Sequence, residues 1–166
     1  MGMFKTFVVE SSIEINAGPE KIWDFFYKIE SNYKDWYPEE HHYFKWTKGK
    51  ALEPGSKFDS LEIVDGHKTR IKGVCQEAVK NSRIGLKPSW PVSFMCPKLE
   101  WLIVPQNDKT TFTAKTYYKF GRLFLTLKKG AAQEIMNITQ IHMNREGENL
   151  KRLLENIEPE NLSKTS

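Results

Sequence analysis

His142 and Glu146 are the residues whose type and spacing most directly suggest chemistry. They stand four apart in a helical pattern running from Leu123 to Ile157, with Gly130 marking a break near its start. At about 100° per residue, Ile135, Ile138, Glu146 and Leu153 fall within about 40° of His142. Ala131 lies on the same side and Leu150 at its edge. An imidazole and a carboxylate thus occupy the middle of an apolar stripe, and Glu134, Lys151 and Glu155 take the solvent face. An ionised carboxylate buried without a partner is costly, so it must become neutral or find a cation. The i, i+4 spacing sets both side chains on one turn. There they either hydrogen-bond to each other or close on one metal ion.

A metal site needs further ligands, and histidine is scarce: His41, His42, His67 and His142. His67 follows Asp65-Gly66 and reads as an exposed hairpin residue. His41 and His42 open a strand-like segment, and Glu62 lies in the next one. A turn centred near residues 52 to 54 pairs Glu62 with a residue close to Tyr43, within reach of either histidine. By pattern alone, Glu62 reads as a solvent-facing strand carboxylate.

The elements that must position these residues are legible as periodicities. Phe4 to Ile15 alternates as a strand, and Asn16-Ala17-Gly18 breaks it. Pro19 opens a helix carrying Ile22, Trp23, Phe25, Phe26 and Ile29, expected to end near Ser31 to Tyr33, with a loop over Asp35 to Pro38. Strands follow at His42–Thr47, Lys57–Val64, Lys68–Glu77, Arg83–Lys87, Leu99–Val104 and Thr110–Phe120, then the long helix. Short connections imply antiparallel pairing. The expected class is α+β: a curved antiparallel sheet of about seven strands wrapped on a long C-terminal helix, with a cavity between them. Residues 1–160 read as one domain and 161–166 as a polar tail.

Composition excludes several classes. The 166 residues are 39% hydrophobic and 28% charged, which is globular and not disordered. The net charge of +4 is scattered, so no nucleic-acid footprint is expected. No apolar run approaches the roughly 20 residues that span a membrane, and the start lacks a signal-peptide pattern. Cys75 and Cys96 make no disulfide framework, and the expectation is a cytoplasmic protein with reduced thiols. There is no G-x-S-x-G turn, no phosphate-binding glycine loop and no Cys-x-x-Cys. Cys96, before Pro97, reads as a small buried residue. Aromatics at 13%, with five Trp, suggest a core or cavity walled by flat rings.

The opening Ser12-Ile13-Glu14-Ile15-Asn16-Ala17-Gly18-Pro19-Glu20-Lys21-Ile22-Trp23-Asp24-Phe25-Phe26 resembles the first strand and helix of START-like (SRPBCC, helix-grip) domains. The pattern of elements extends that resemblance over nearly the whole chain. More narrowly, three segments are similar to the ligand order of the zinc-dependent 2,4-diacetylphloroglucinol hydrolase family: Tyr33-Lys34-Asp35-Trp36-Tyr37-Pro38-Glu39-Glu40-His41, then Glu62, then His142-Met143-Asn144-Arg145-Glu146. That resemblance implies zinc held by His41, Glu62, His142 and Glu146, and cleavage of a carbon–carbon bond joining an acetyl group to a phenolic ring. The Pro-x-x-His spacing favours His41, with His42 open. Tyr33 corresponds to a tyrosine that binds the phenolic substrate in that family. The chain is shorter than those hydrolases, as is the segment from the first His to the Glu.

Two imidazoles and two carboxylates suit Zn²⁺, and also Fe²⁺ or Mn²⁺. Glu146 and Tyr33 are the catalytic candidates, and Tyr117, Tyr118 and Trp46 are the substrate-contact candidates, with Trp23, Trp101 and Phe44 as further walls. The expected partner is a small apolar or aromatic ligand, and homodimer formation is open. Two other classes stand beside the hydrolase: a non-catalytic carrier of a lipid or apolar molecule, and a regulatory interaction module with an exposed apolar patch and no metal.

Overall fold

A computed structural model describes residues 2–128 and 130–156. The expected tail at 161–166 lies outside the described residues. Seven strands form one antiparallel sheet: β1 (Phe4–Ile15), β2 (His41–Lys48), β3 (Lys57–Val64), β4 (His67–Val79), β5 (Arg83–Pro88), β6 (Lys98–Gln106) and β7 (Lys109–Gly121). Their spatial order is β1-β7-β6-β5-β4-β3-β2. Only the step from β1 to β2 crosses the sheet, and two helices make it, α1 (Pro19–Tyr27) and α2 (Ile29–Trp36). The α+β reading thus holds, with a long C-terminal helix, α5 (Ala131–Glu155), against the concave face.

Turn chemistry sets the register. Asp65 and Gly66 both adopt positive φ, the two-residue turn whose twist matches a hairpin, so Val64 pairs with His67 and Glu62 with Thr69. Between β2 and β3 a bulge at His42 shifts the pairing, and Glu62 faces His41, two residues from Tyr43 and one of the two histidines expected within its reach. The bulge leaves His41 buried and turns His42 to solvent. His67 is exposed, as its hairpin position implies.

Three features depart from the sequence reading. The first helix breaks at Lys28 and then continues through Asp35 to Trp36 as α2. It persists because Trp36 is buried among Phe25, Phe26 and Trp101. A short helix, α3 (Val92–Met95), fills the β5–β6 connection, and α4 (Arg122–Leu127) precedes α5. Gly130, at φ 94°, separates those two helices at the break read from the sequence. Finally, the buried stripe of α5 is Ala132, Met143, Gly147, Leu150 and Leu154. Its centre lies one position round from His142. At Gly147 an added Cβ would sit 3.5 Å from Ile13 Cγ2, so the helix lies close along β1 there. That contact rotates His142 and Glu146 onto the shoulder of the stripe, over the concave sheet. It also brings Lys151 and Glu155, expected in solvent, against β1: Lys151 Nζ donates to Glu14 O (2.7 Å), and Asn16 N donates to Glu155 Oε1 (2.6 Å).

Candidate metal centre

The fold brings four side chains from three elements to one point. His41 opens β2, Glu62 sits opposite it on β3, and His142 and Glu146 descend from α5. Each offers a ligand atom, and these atoms lie within 4.8 Å of one another. His41 Nε2 is 3.0 Å from Glu146 Oε1 and 3.7 Å from Glu62 Oε2. His142 Nε2 is 3.4 Å from Glu146 Oε1 and 3.6 Å from Glu62 Oε2. Glu62, expected to face solvent, points into the protein because the hairpin register aligns it with the buried face of His41.

Both imidazoles are held by their other nitrogen. His41 Nδ1 lies 2.9 Å from the Tyr33 carbonyl, which can only accept, so Nδ1 carries the proton. His41 Nε2 then faces carboxylate oxygens. It is fully buried and, close as Glu146 Oε1 is, meets no hydrogen-bond partner of good geometry among the described residues. His142 Nδ1 lies 2.6 Å from Glu40 Oε2, a carboxylate–histidine arrangement of the kind that orients metal ligands. Each ring is also stacked, His41 on Tyr33 (4.0 Å, 4°) and His142 on Tyr37 (5.4 Å, 28°).

The electrostatics ask for positive charge. Burial works against a charged His142, but the Glu146 and Glu62 carboxylates outweigh it and push the ring up to about 12. Burial likewise opposes a charged Glu146, yet the two histidines hold it down at about 2. Without a metal, a proton on His142 only partly answers two carboxylates. Burial and then Glu62 raise the Tyr33 phenol well above its ordinary range, so its hydroxyl keeps the proton and donates to Glu62 Oε2 at 3.1 Å. Two nitrogen and two carboxylate donors, with an orphaned buried nitrogen among them, match the donor chemistry of a divalent transition ion.

No protein-family model matches the chain, and no curated protein matches it in sequence. Solved structures do match. Norcoclaurine synthase from Thalictrum flavum, in complex with dopamine and hydroxybenzaldehyde, aligns with a TM-score of 0.71 at 13% identity, over 95% of this chain and 91% of its own. A START superfamily protein from Mycobacterium smegmatis aligns with a TM-score of 0.69 at 15% identity, over 91% and 99%. Major latex-like protein 151 from Panax ginseng gives 0.66 at 11% identity, over 90% and 99%. The fold is the START-like helix grip.

The grip encloses a cavity of about 450 Å³, and Glu62, His142 and Glu146 reach its wall. Phe44, Phe58, Trp36, Trp101, Ile71 and Leu86 supply much of the apolar surface. Tyr33 and Tyr118 line it, and the Tyr118 hydroxyl pairs with Thr139 Oγ1 at 2.6 Å. Tyr117 does not line it. Strand alternation sends it to the other face of the sheet, where its hydroxyl donates to Glu100 Oε2 at 2.9 Å and Lys98 lies over its ring. Trp46 is also absent from the lining, because its indole packs on Phe44 and Phe58, which form the wall themselves. Trp23 is a core residue. Cys96 lines the cavity, where burial pushes its thiol up to about 12, so it stays an inert protonated group.

Sequence reasoning did not single out Glu40 or Trp36. Trp36 Nε1 donates to the carbonyl of Glu146 at 2.9 Å, tying α2 to the helical turn that carries two of the four donors. The signal for Glu40 was its place beside His41. No spacing rule signals that it reaches His142, 102 residues away. If Glu40 orients His142 for a metal, Glu40→Gln is expected to weaken zinc binding by about 10- to 100-fold. Competition with a chromogenic chelator measures that, and an unchanged affinity would deny Glu40 this role.

Proposed function

We propose that this chain is a metal-dependent hydrolase acting on a small aromatic or polyketide-like ketone bound between the sheet and α5. The observation that carries the reading is the buried Nε2 of His41, without a well-formed hydrogen bond among the described residues and aimed with His142 Nε2 at two carboxylates beside an aromatic cavity. His41, Glu62, His142 and Glu146 would hold the ion, with Zn²⁺ the first choice and Fe²⁺ or Mn²⁺ compatible with the same donors. When bound, a divalent cation supplies positive charge that polarises a ketone oxygen and eases loss of a proton from water. The comparisons support the fold, and the hydrolase reading rests on these residues and on the motif resemblance.

The chain's own groups then divide the work. Phe44, Phe58 and Trp101 present faces on which a flat ring stacks, and the apolar walls keep bulk water away. Tyr118 and Thr139 offer a hydroxyl pair to a polar substituent. Glu146 would take a proton from water as base, in a state where it is not a ligand to the ion, and Tyr33 holds Glu62 in position. In the reaction, the bond from ring carbon to acyl carbon breaks, water's hydroxyl goes to the acyl carbon and its proton to the ring carbon.

Purified without chelator, the protein is expected to carry close to one equivalent of zinc and to release acetate from 2,4-diacetylphloroglucinol. A chelator should stop release and added zinc restore it. The predominantly apolar lining also suits a carrier. Metal-free protein that copurifies with a lipid or aromatic molecule and releases no acetate would replace the hydrolase reading with that one.

A further inference from the structure

Large apolar side chains scattered singly on a surface need no explanation. Here the five most exposed among the described residues are Met3, Trp90, Phe94, Leu123 and Leu127, at 60% to 81%. All belong to one end of the sheet. The register sets the start of β1 beside the end of β7, the end of β7 beside the start of β6, and the start of β6 beside the end of β5. Direct contacts tie these segments together: Phe4 meets Phe94 edge-on at 6.1 Å, and Arg122 N donates to Met3 O at 3.1 Å. Leu123 and Leu127 project from one face of α4.

Charge is segregated in the same place. Residues 2–9, 78–99 and 109–133 contain no Asp or Glu. Yet Lys5, Lys87, Lys119, Arg122 and Lys128 are exposed there, and none of the five is in an ion pair among the described residues. Asp65 on the β3–β4 hairpin and Glu39 and Glu40 before β2 stand at the same end of the sheet, across it from β1 and β7. The overall charge of +4 thus conceals an acid-poor, cationic sector around β1, β7, α3 and α4 with protruding leucines and aromatics, bordered by Glu134 in the first turn of α5.

We infer that this end is a docking face for an anionic lipid bilayer: Trp90, Phe94, Leu123 and Leu127 enter the headgroup–acyl boundary, and the surrounding Lys and Arg meet lipid phosphates and carboxylates. The composition is that of interfacial binding, apolar knobs ringed by cations. A second copy of the chain fits less well, because an isologous contact would set this acid-poor cationic patch against the same patch. The docking face also leads inward. Trp90 and Phe94 point out from the segment whose Pro91, Val92 and Met95 line the cavity. Docking therefore sets the cavity mouth against the bilayer, where an apolar ligand partitions. This inference is independent of the metal.

Sedimentation with vesicles of phosphatidylcholine, and of an equimolar mixture with phosphatidylserine, tests it. The full chain is expected to bind the mixed vesicles and to be released by high salt, with little binding to phosphatidylcholine alone. Leu123→Ser with Leu127→Ser should lower partitioning more than about tenfold, and each of Lys119→Gln and Arg122→Gln by about fivefold. These side chains are exposed, so the variants should unfold at the parent's temperature, and that measurement separates lost docking from lost folding. Absence of binding to both vesicles, equal binding to both, or a concentration-dependent dimer that the leucine substitutions abolish would overturn the inference.

Discussion

A protein carrying both His142→Ala and Glu146→Ala is expected to retain no stoichiometric zinc while folding about as stably as the metal-free parent. The four donors converge from β2, β3 and α5, and removing the two helical ones leaves a single imidazole and a single carboxylate. Two ligands do not make a tetrahedral site. Stability should survive because the double change removes a buried cation and a buried anion together, which is often close to neutral. His142→Ala alone is a different experiment. It leaves Glu62 and Glu146 facing each other without the proton that His142 carries, and is expected to cost about 3 kcal/mol. Thermal unfolding separates these cases. With zinc at a thousandfold excess over its Kd, the parent gains about 4 kcal/mol. For a chain of this size that moves Tm by on the order of 10 °C. The double variant should show no such shift. If it still bound one equivalent of zinc with unchanged affinity, these donors would not be the metal's ligands.

Trp36→Ala should give the largest loss of stability from a single change near the site. The indole is 1% exposed and lies edge-on to Phe26 at 5.3 Å and Trp101 at 5.8 Å. Truncating a ring of this size in a close-packed core costs about 3 to 5 kcal/mol, or a fall in Tm on the order of 10 °C. The same substitution removes the donor on the Glu146 carbonyl. Trp36→Phe separates the two effects. It keeps most of the packing, at a cost of about 1 to 2 kcal/mol, but still frees the turn that carries His142 and Glu146. Zinc affinity should therefore fall in the Phe variant by more than its stability loss accounts for. Denaturant titration with a parallel chelator competition reads both quantities. Unchanged zinc affinity in Trp36→Phe would mean that α5 holds its donors without help from α2.

Local chemistry made much of this protein legible in its sequence. Phe4–Ile15 alternates because one face is packed and the other wet, and the bounds read for it and for Lys57–Val64 match the folded strands. Asp65-Gly66 specifies a hairpin because both positions must reach positive φ. His142 and Glu146 stood out because i, i+4 proximity belongs to any α-helix, whatever it packs on. Other features needed the assembled sheet. The choice between His41 and His42 depends on a bulge that only pairing with β3 creates. Glu62 has the alternation of a solvent-facing carboxylate, and it turns inward because the sheet curves beneath α5. Tyr117 and Tyr118 are adjacent and chemically alike, and the pleat alone sends one to Glu100 outside and the other to the cavity. Glu40 and Trp36 reach α5 across more than 100 residues of chain. Sequence by itself therefore determined the seven strands, the first and last helices and one pair of donors, since those follow from neighbours a few residues apart. Tertiary structure decided which side chains share a point in space, because that depends on register, bulge and helix rotation, which long-range packing sets.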